Sequence, residues 1–240
     1  TLSDSSDEIR GVNWDSNTGR LAVSSNDTNV RVYDENLNLT DTLTAGSNTM
    51  TGADWDKRTG RLAVGSQDDI VYVWSSDLSS FAALQGNDGL SIFDVGWDPF
   101  DGKLAVGGKS NEVTVFDSSL NQVAVLSDMS SNVTYCDWNP NQRQLAVTSG
   151  DSNTYVYDDT LSLTNTLTDA GSAVRGCDWD PVQGRLATVS TDGNVYIYDS
   201  NLNLIQTLTD SSGFALKTNW DVNSGRLAVS SDDTNTYVYA

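Results

Sequence analysis

The 240-residue sequence contains no histidine. That absence removes the Ser-His-Asp triad, the Cys-His pair and every imidazole-ligated metal site. There are two cysteines, Cys136 and Cys177, too few for a disulfide framework. Basic residues are scarce: 13 Lys and Arg face 33 Asp and Glu, for a formal net charge of −20. Such a surface repels phosphate backbones and anionic bilayers, so nucleic acid is not an expected partner. No run approaches the ~18 apolar residues that span a bilayer, and no charged-then-apolar leader opens the chain. Membrane insertion is not expected.

The acidity is narrow in kind, with 30 Asp and only 3 Glu against 4 Lys and 9 Arg. Aspartate suits turns because its carboxylate caps nearby backbone N–H groups. Turn chemistry explains Asp over Glu but not the shortage of lysine. The shortage points to a salt-adapted source, where screening over a few ångströms removes self-repulsion.

What the sequence does have is one phrase said six times. Tryptophans recur at 14, 55, 97, 138, 179 and 220, spaced 41 or 42 apart. Seven residues after each stands Leu-Ala, from Leu21 to Leu227. Nineteen residues after each stands an aromatic: Tyr33, Trp74, Phe116, Tyr157, Tyr198 and Tyr239. A Leu closes each complete unit at 43, 84, 126, 167 and 208. Within a unit the periodicity is two, broken by Gly and Asp, which predicts strands. Four are expected, A to D, as in VRGCDW, RLATVS, NVYIYD and NLIQTLT. A four-stranded meander cannot bury both faces alone, and radial packing of such units solves the problem.

The pattern, as in WDPVQGRLATVSTDGNVYIYD at 179–199, resembles the WD40 repeat and related propellers over the whole chain. The resemblance implies a B–C turn aspartate at Asp27, Asp68, Asp151, Asp192 and Asp233, with Ser110 substituting in the third unit. The family's Gly-His pair is missing, so these aspartates are expected to bond local backbone amides instead. The predicted fold is all-β: a single six-bladed β-propeller over 1–240. Its blades fall near 3–43, 44–84, 85–126, 127–167, 168–208 and 209–240. The sixth lacks the counterpart of ENLNLTD, 35–41, most of its outer strand. Strand C at 234–239 is therefore expected to show an open edge, a place for a strand lent by a partner or another copy.

Residues repeated sixfold are read as packing. The Asp or Asn before most tryptophans is read as inter-blade hydrogen bonding, with a shared cation as the alternative. Cys136 and Cys177 fill a small apolar slot and are read as structural. Function is sought where the repeats disagree. Four residues before Trp stand Arg10, Thr51, Phe93, Thr134, Arg175 and Leu216. Three before stand Gly11, Gly52, Asp94, Tyr135, Gly176 and Lys217. The interval from closing Leu to next Trp is also one residue longer at 84–97, around the turn Asn87-Asp88-Gly89. The candidate partner-binding set is therefore Arg10, Asn87, Asp88, Phe93, Asp94, Tyr135, Arg175 and Lys217, at least partly exposed on the D–A/B–C loop face.

No catalytic residue, metal ligand or cofactor is assigned. The expected role is non-enzymatic: a protein-interaction or adhesion module, extracellular or on a particle surface, engaging a protein partner, itself or a surface glycan. An intracellular assembly scaffold, or the cytoplasm of a halophile, is the alternative setting. A carbohydrate-active or metal-dependent enzyme is the third reading, resting on the abundance of carboxylate pairs.

Overall fold

The computed structural model describes residues 1–86 and 89–240, and no helix occurs among them. The strands form six antiparallel sheets in meander order, five of four strands and the last of three. These are the blades of the expected propeller-type repeat, with the sixth reduced to Ala215–Trp220, Leu227–Ser231 and Thr236–Tyr239. By contacts the chain divides into two compact units, Thr1–Val125 and Leu126–Ala240. Each holds three blades, and the division falls at the last residue of the third blade's outer strand, Gln122–Leu126.

One register serves every blade. In blade 5, Trp179 on strand A (Val174–Trp179) pairs with Leu186 on strand B (Leu186–Ser190). Leu186 pairs in turn with Tyr198 on strand C (Val195–Tyr198). The trio Trp55, Leu62 and Trp74 repeats this in blade 2. The repeated letters are thus one cross-strand row. Strand B is buried along its whole length in blades 1 to 5, which a sheet covered on both faces requires.

Within the first unit, Ala22, Val30, Val32 and Leu43 of blade 1 pack against Met50, Trp55, Leu62 and Trp74 of blade 2. Within the second, Ala187, Val189 and Ile197 of blade 5 pack against Trp220, Leu227 and Val229 of blade 6. Cys136 and Cys177 are free and buried, as their slot predicted.

A polar staple reinforces the same seams. The Asp after each of these tryptophans is buried at Asp15, Asp56, Asp98 and Asp180. It pairs with the cation five residues on: Asp15–Arg20 at 2.9 Å, Asp56–Arg61 at 3.0 Å, Asp180–Arg185 at 2.8 Å. Each guanidinium then lies over the tryptophan of the following blade. Arg20 sits 4.3 Å from Trp55, Arg61 4.5 Å from Trp97, and Arg185 4.2 Å from Trp220. Arg20 and Arg61 also donate to the next blade's C–D turn, at the carbonyls of Ser76 and Ser118. That turn places a leucine in the left-handed region, at Leu37, Leu78, Leu120, Leu161 and Leu202, with φ between 61° and 67°. A branched side chain there costs about 1 kcal/mol, and packing against the inter-blade core offsets it at Leu78, Leu120 and Leu202.

Candidate binding face

The B–C turn aspartates do more than cap their own turns. Asp192 accepts from Asn194 N two residues on (2.9 Å), as an Asx turn does. It also accepts from Gly171 N (2.7 Å) in the preceding D–A loop and from the Tyr196 hydroxyl (2.7 Å) on strand C. Asp68, Asp151 and Asp233 repeat the clamp with Ser47 and Tyr72, Ser130 and Tyr155, and Ser212 and Tyr237. In blade 1 an arginine replaces the tyrosine, and Arg31 meets Asp27 at 2.8 Å. The tyrosine four residues after the aspartate, with the loop amide, thus takes the place of the absent histidine. Burial pushes Asp68, Asp151 and Asp192 up, but these donors outweigh it and hold all three below the ordinary carboxylate range.

A second bond ties the D–A loops to strand C. The hydroxyls of Tyr33, Tyr157 and Tyr198 donate to Asp4, Asp128 and Asp169, each at 2.9 Å. The offset is 29 residues every time. The D–A and B–C loops are therefore held from two sides, and side chains carried between them start from a fixed frame.

Those side chains sit on bulges. The register between strands A and B slips between Ile9 and Gly11, Val133 and Tyr135, Val174 and Gly176, and Ala215 and Lys217. In blade 2 it slips between Met50 and Ala53, and in blade 3 Phe93 is passed over between Ile92 and Asp94. The residues that vary most along the repeat are the bulged residues and their neighbours. A bulge frees a side chain from the sheet's alternation and re-aims it.

The candidates fall into two sets, one in each unit. In the first unit Arg10 is exposed, donates to Asn26 (2.6 Å) and pairs with Glu8 (3.0 Å). Phe93 is half-buried. Asp94 was expected to be exposed and is instead buried at 6 %. The reason is Gly52: a Cβ there would lie 2.8 Å from Asp94 Cα, so the glycine leaves the slot that Asp94 fills. Nearby Asp54 accepts from Trp97 N at 2.7 Å. Burial pushes Asp54 up to about 7, against the opposing pull of that N–H and of Lys57, and Asp94 adds to the rise. Asp137 and Asp178 make the equivalent bond to Trp179 N (3.1 Å) and Trp220 N, so the inner carboxylates are inter-blade bonds as expected.

In the second unit Arg175 and Lys217 are exposed and Tyr135 is half-buried. Lys217 of blade 6 reaches across blade 5 to place its Nζ 3.9 Å from the centroid of the Tyr135 ring on blade 4. It crosses at Gly176, where an added Cβ would stand 3.7 Å from Lys217 Cδ. Phe214, 52 % exposed, lies in the adjoining D–A loop. Sequence comparison passed over it, although it is the one aromatic among the residues six before each Trp: Glu8, Thr49, Ser91, Asn132, Ala173 and Phe214. Asn87 and Asp88 lie outside the described residues. Their neighbour Gly89 donates to Asp69 at 2.8 Å.

No group of three or more metal-ligating side chains occurs among the described residues. A cleft of about 400 Å³ beside the blade 1 staple is lined by Asp15, Arg20, Arg58 and Ser76, and its Asp15 and Arg20 already pair. No helix of the described chain is long and apolar enough to cross a membrane.

A family model described as WD domain, G-beta repeat, matches residues 1–34, 120–158 and 161–199. No curated protein sequence matches the chain.

Proposed function

From a chain built of WD40-like repeats, a type of module that binds other proteins, we propose that the protein is a non-enzymatic interaction module working through its D–A/B–C loop face. The observation that carries this reading is the bulge. Structurally equivalent positions vary in size and charge while the surrounding residues repeat, and in blades 2, 4, 5 and 6 the loops beside them are clamped. The second unit offers the sharper patch: Arg175, the Lys217–Tyr135 pair, Leu216 and Phe214. Cations and aromatics grouped on a protein of net charge −20 favour an acidic, aromatic-bearing protein segment over a basic one. The same charge, dominated by aspartate, supports display on a surface bathed in concentrated salt.

Selection from a displayed peptide library tests the site. The wild-type chain enriches acidic segments, and the Arg175→Ala/Lys217→Ala variant loses them. Enrichment that is absent, or indifferent to the two substitutions, refutes the reading. The salt setting has its own test: the melting temperature rises between 0.1 M and 2 M KCl as repulsion is screened. A flat or falling curve removes it.

A further inference from the structure

The connection from blade 2 to blade 3 departs from its counterparts. From closing Leu to next Trp it is one residue longer, Leu84 to Trp97. Two residues after the closing Leu it carries Gly86, where later loops place Asp128, Asp169 and Asp210. Asp128 and Asp169 accept from the Tyr157 and Tyr198 hydroxyls. Blade 3 closes instead on Phe116, which has no hydroxyl to give. A carboxylate reaches this loop all the same, from the turn on the other side. Asp69, in the B–C turn of blade 2, is only 3 % exposed. Its φ is 68°, at a turn position that other blades give to the uncharged Thr28, Ser152, Gly193 and Thr234.

The Asp69 carboxylate is half satisfied. Oδ2 accepts from the Gln85 amide and from Gly89 N at 2.8 Å, and the Asp69 carbonyl accepts from Gly86 N at 2.9 Å. Oδ1 is out of solvent and meets no donor among the described residues. It faces Gly86: a Cβ there would lie 2.8 Å from Oδ1 and 2.5 Å from Ile92 Cδ1. A buried carboxylate met only by neutral amides on one oxygen is costly. An orphaned buried acceptor of this kind is the ordinary mark of a bound ion or water.

We propose that Asp69 holds a monovalent alkali cation, sodium or potassium, at Oδ1 beside Gly86. Charge and size select it. One carboxylate balances one positive charge. No group of three metal-ligating side chains gathers among the described residues to replace the water of a divalent ion. At 3 % exposure the site admits a bare ion but not the ammonium of a partner's lysine. The ion pins the turn to the loop that follows it, where Phe116 leaves no hydroxyl tie. The site belongs to the first unit alone and does not rest on the binding patch of the second.

Thermal unfolding of the full chain at one fixed ionic strength, in sodium, potassium or tetramethylammonium chloride, tests this. Screening is equal in the three salts and cannot separate them. The wild type melts higher in an alkali salt, by about 3–6 °C once the ion stands at ~10 times its dissociation constant. The salt with the larger shift identifies the ion. Asp69→Asn, a residue type that tolerates the left-handed conformation, loses the difference between salts. Wild-type crystals grown in a thallium(I) salt give a second measurement that needs no variant: an anomalous peak beside Asp69 Oδ1. Equal melting in the three salts overturns the proposal. So does an alkali preference that survives Asp69→Asn, stabilisation by calcium that neither alkali salt gives, or a thallium peak found only elsewhere.

Discussion

Arg175 and Asp180 stand five residues apart, one near the start of strand A in blade 5 and the other just past its end. Asp180 has no solvent exposure and is paired with Arg185 at 2.8 Å. Arg175 is exposed on a bulge. Both are charged, and both lie next to residues the repeat conserves in kind. What separates them is whether the neighbouring blade depends on them. Asp180 orients the arginine that covers Trp220, so any change there is felt across the seam. Arg175 is released from the ladder by the bulge, so the position is open to Thr51, Phe93 or Leu216 in other blades.

That contrast can be broken at several strengths. The largest effect is expected at the seams themselves: Trp55→Ala lowers stability by about 3–5 kcal/mol in urea unfolding, whereas Trp14→Ala, at a ring 53 % exposed, costs less than about 1 kcal/mol. Equal losses would mean that the shared row, not the covering blade, sets the energy. Next, Asp180→Ala costs about 3 kcal/mol by leaving Arg185 uncompensated, and Arg175→Ala stays within about 0.5 kcal/mol.

A subtler break uses pH. Asp54 sits at about 7 when folded, above its ordinary value of 3.8. Between those values the folded chain keeps a proton that the unfolded chain releases, so this group's contribution falls as pH rises from about 4 to 7. The turn aspartates act with the opposite sign. Their folded values are depressed, so their contribution is present above 3.8 and is lost as pH falls through the lower folded values. Asp54→Asn, the residue type at Asn13 and Asn219, raises stability at pH 8 by about 1–2 kcal/mol and flattens the slope between pH 4 and 7. An unchanged slope assigns it to another group. The smallest effect belongs to the face: Lys217→Ala costs about 0.5–1 kcal/mol, the worth of a cation–π contact at an open site. Urea titration beside Tyr135→Phe, which keeps the ring, reads it.

The blade plan was legible because Trp, Leu-Ala and the closing aromatic form one cross-strand row that the spacing exposes directly. The short sixth blade was legible by counting. The position of the bulge was visible as variability, but not its geometry, since alternation says nothing about an unpaired residue. Asp94 was misjudged because its burial depends on Gly52, which lies 42 residues away in the adjoining blade. Its own surroundings in the sequence carry no trace of that slot. The tyrosine–aspartate ties left a readable signal, a fixed offset of 29, but it joins a loop to the far end of the same blade and escapes any local window. The staple left one too, in Asp next to Trp and Arg five beyond; its target is another blade's indole, which no single repeat contains.

The order of that staple gives the chain a polarity. Arg20 belongs to blade 1 and protects blade 2; Arg61 belongs to blade 2 and protects blade 3; Arg185 belongs to blade 5 and protects blade 6. Damage to an A–B hairpin therefore surfaces downstream of where it was inflicted. Loss of the Arg20 side chain should speed amide exchange along Met50–Trp55 more than along Ile9–Trp14, and loss of Arg185 should do the same along Ala215–Trp220. The hairpins of blades 1, 2 and 5 each hold part of their successor's resistance to opening, and substitutions in them are inherited by the next blade in line.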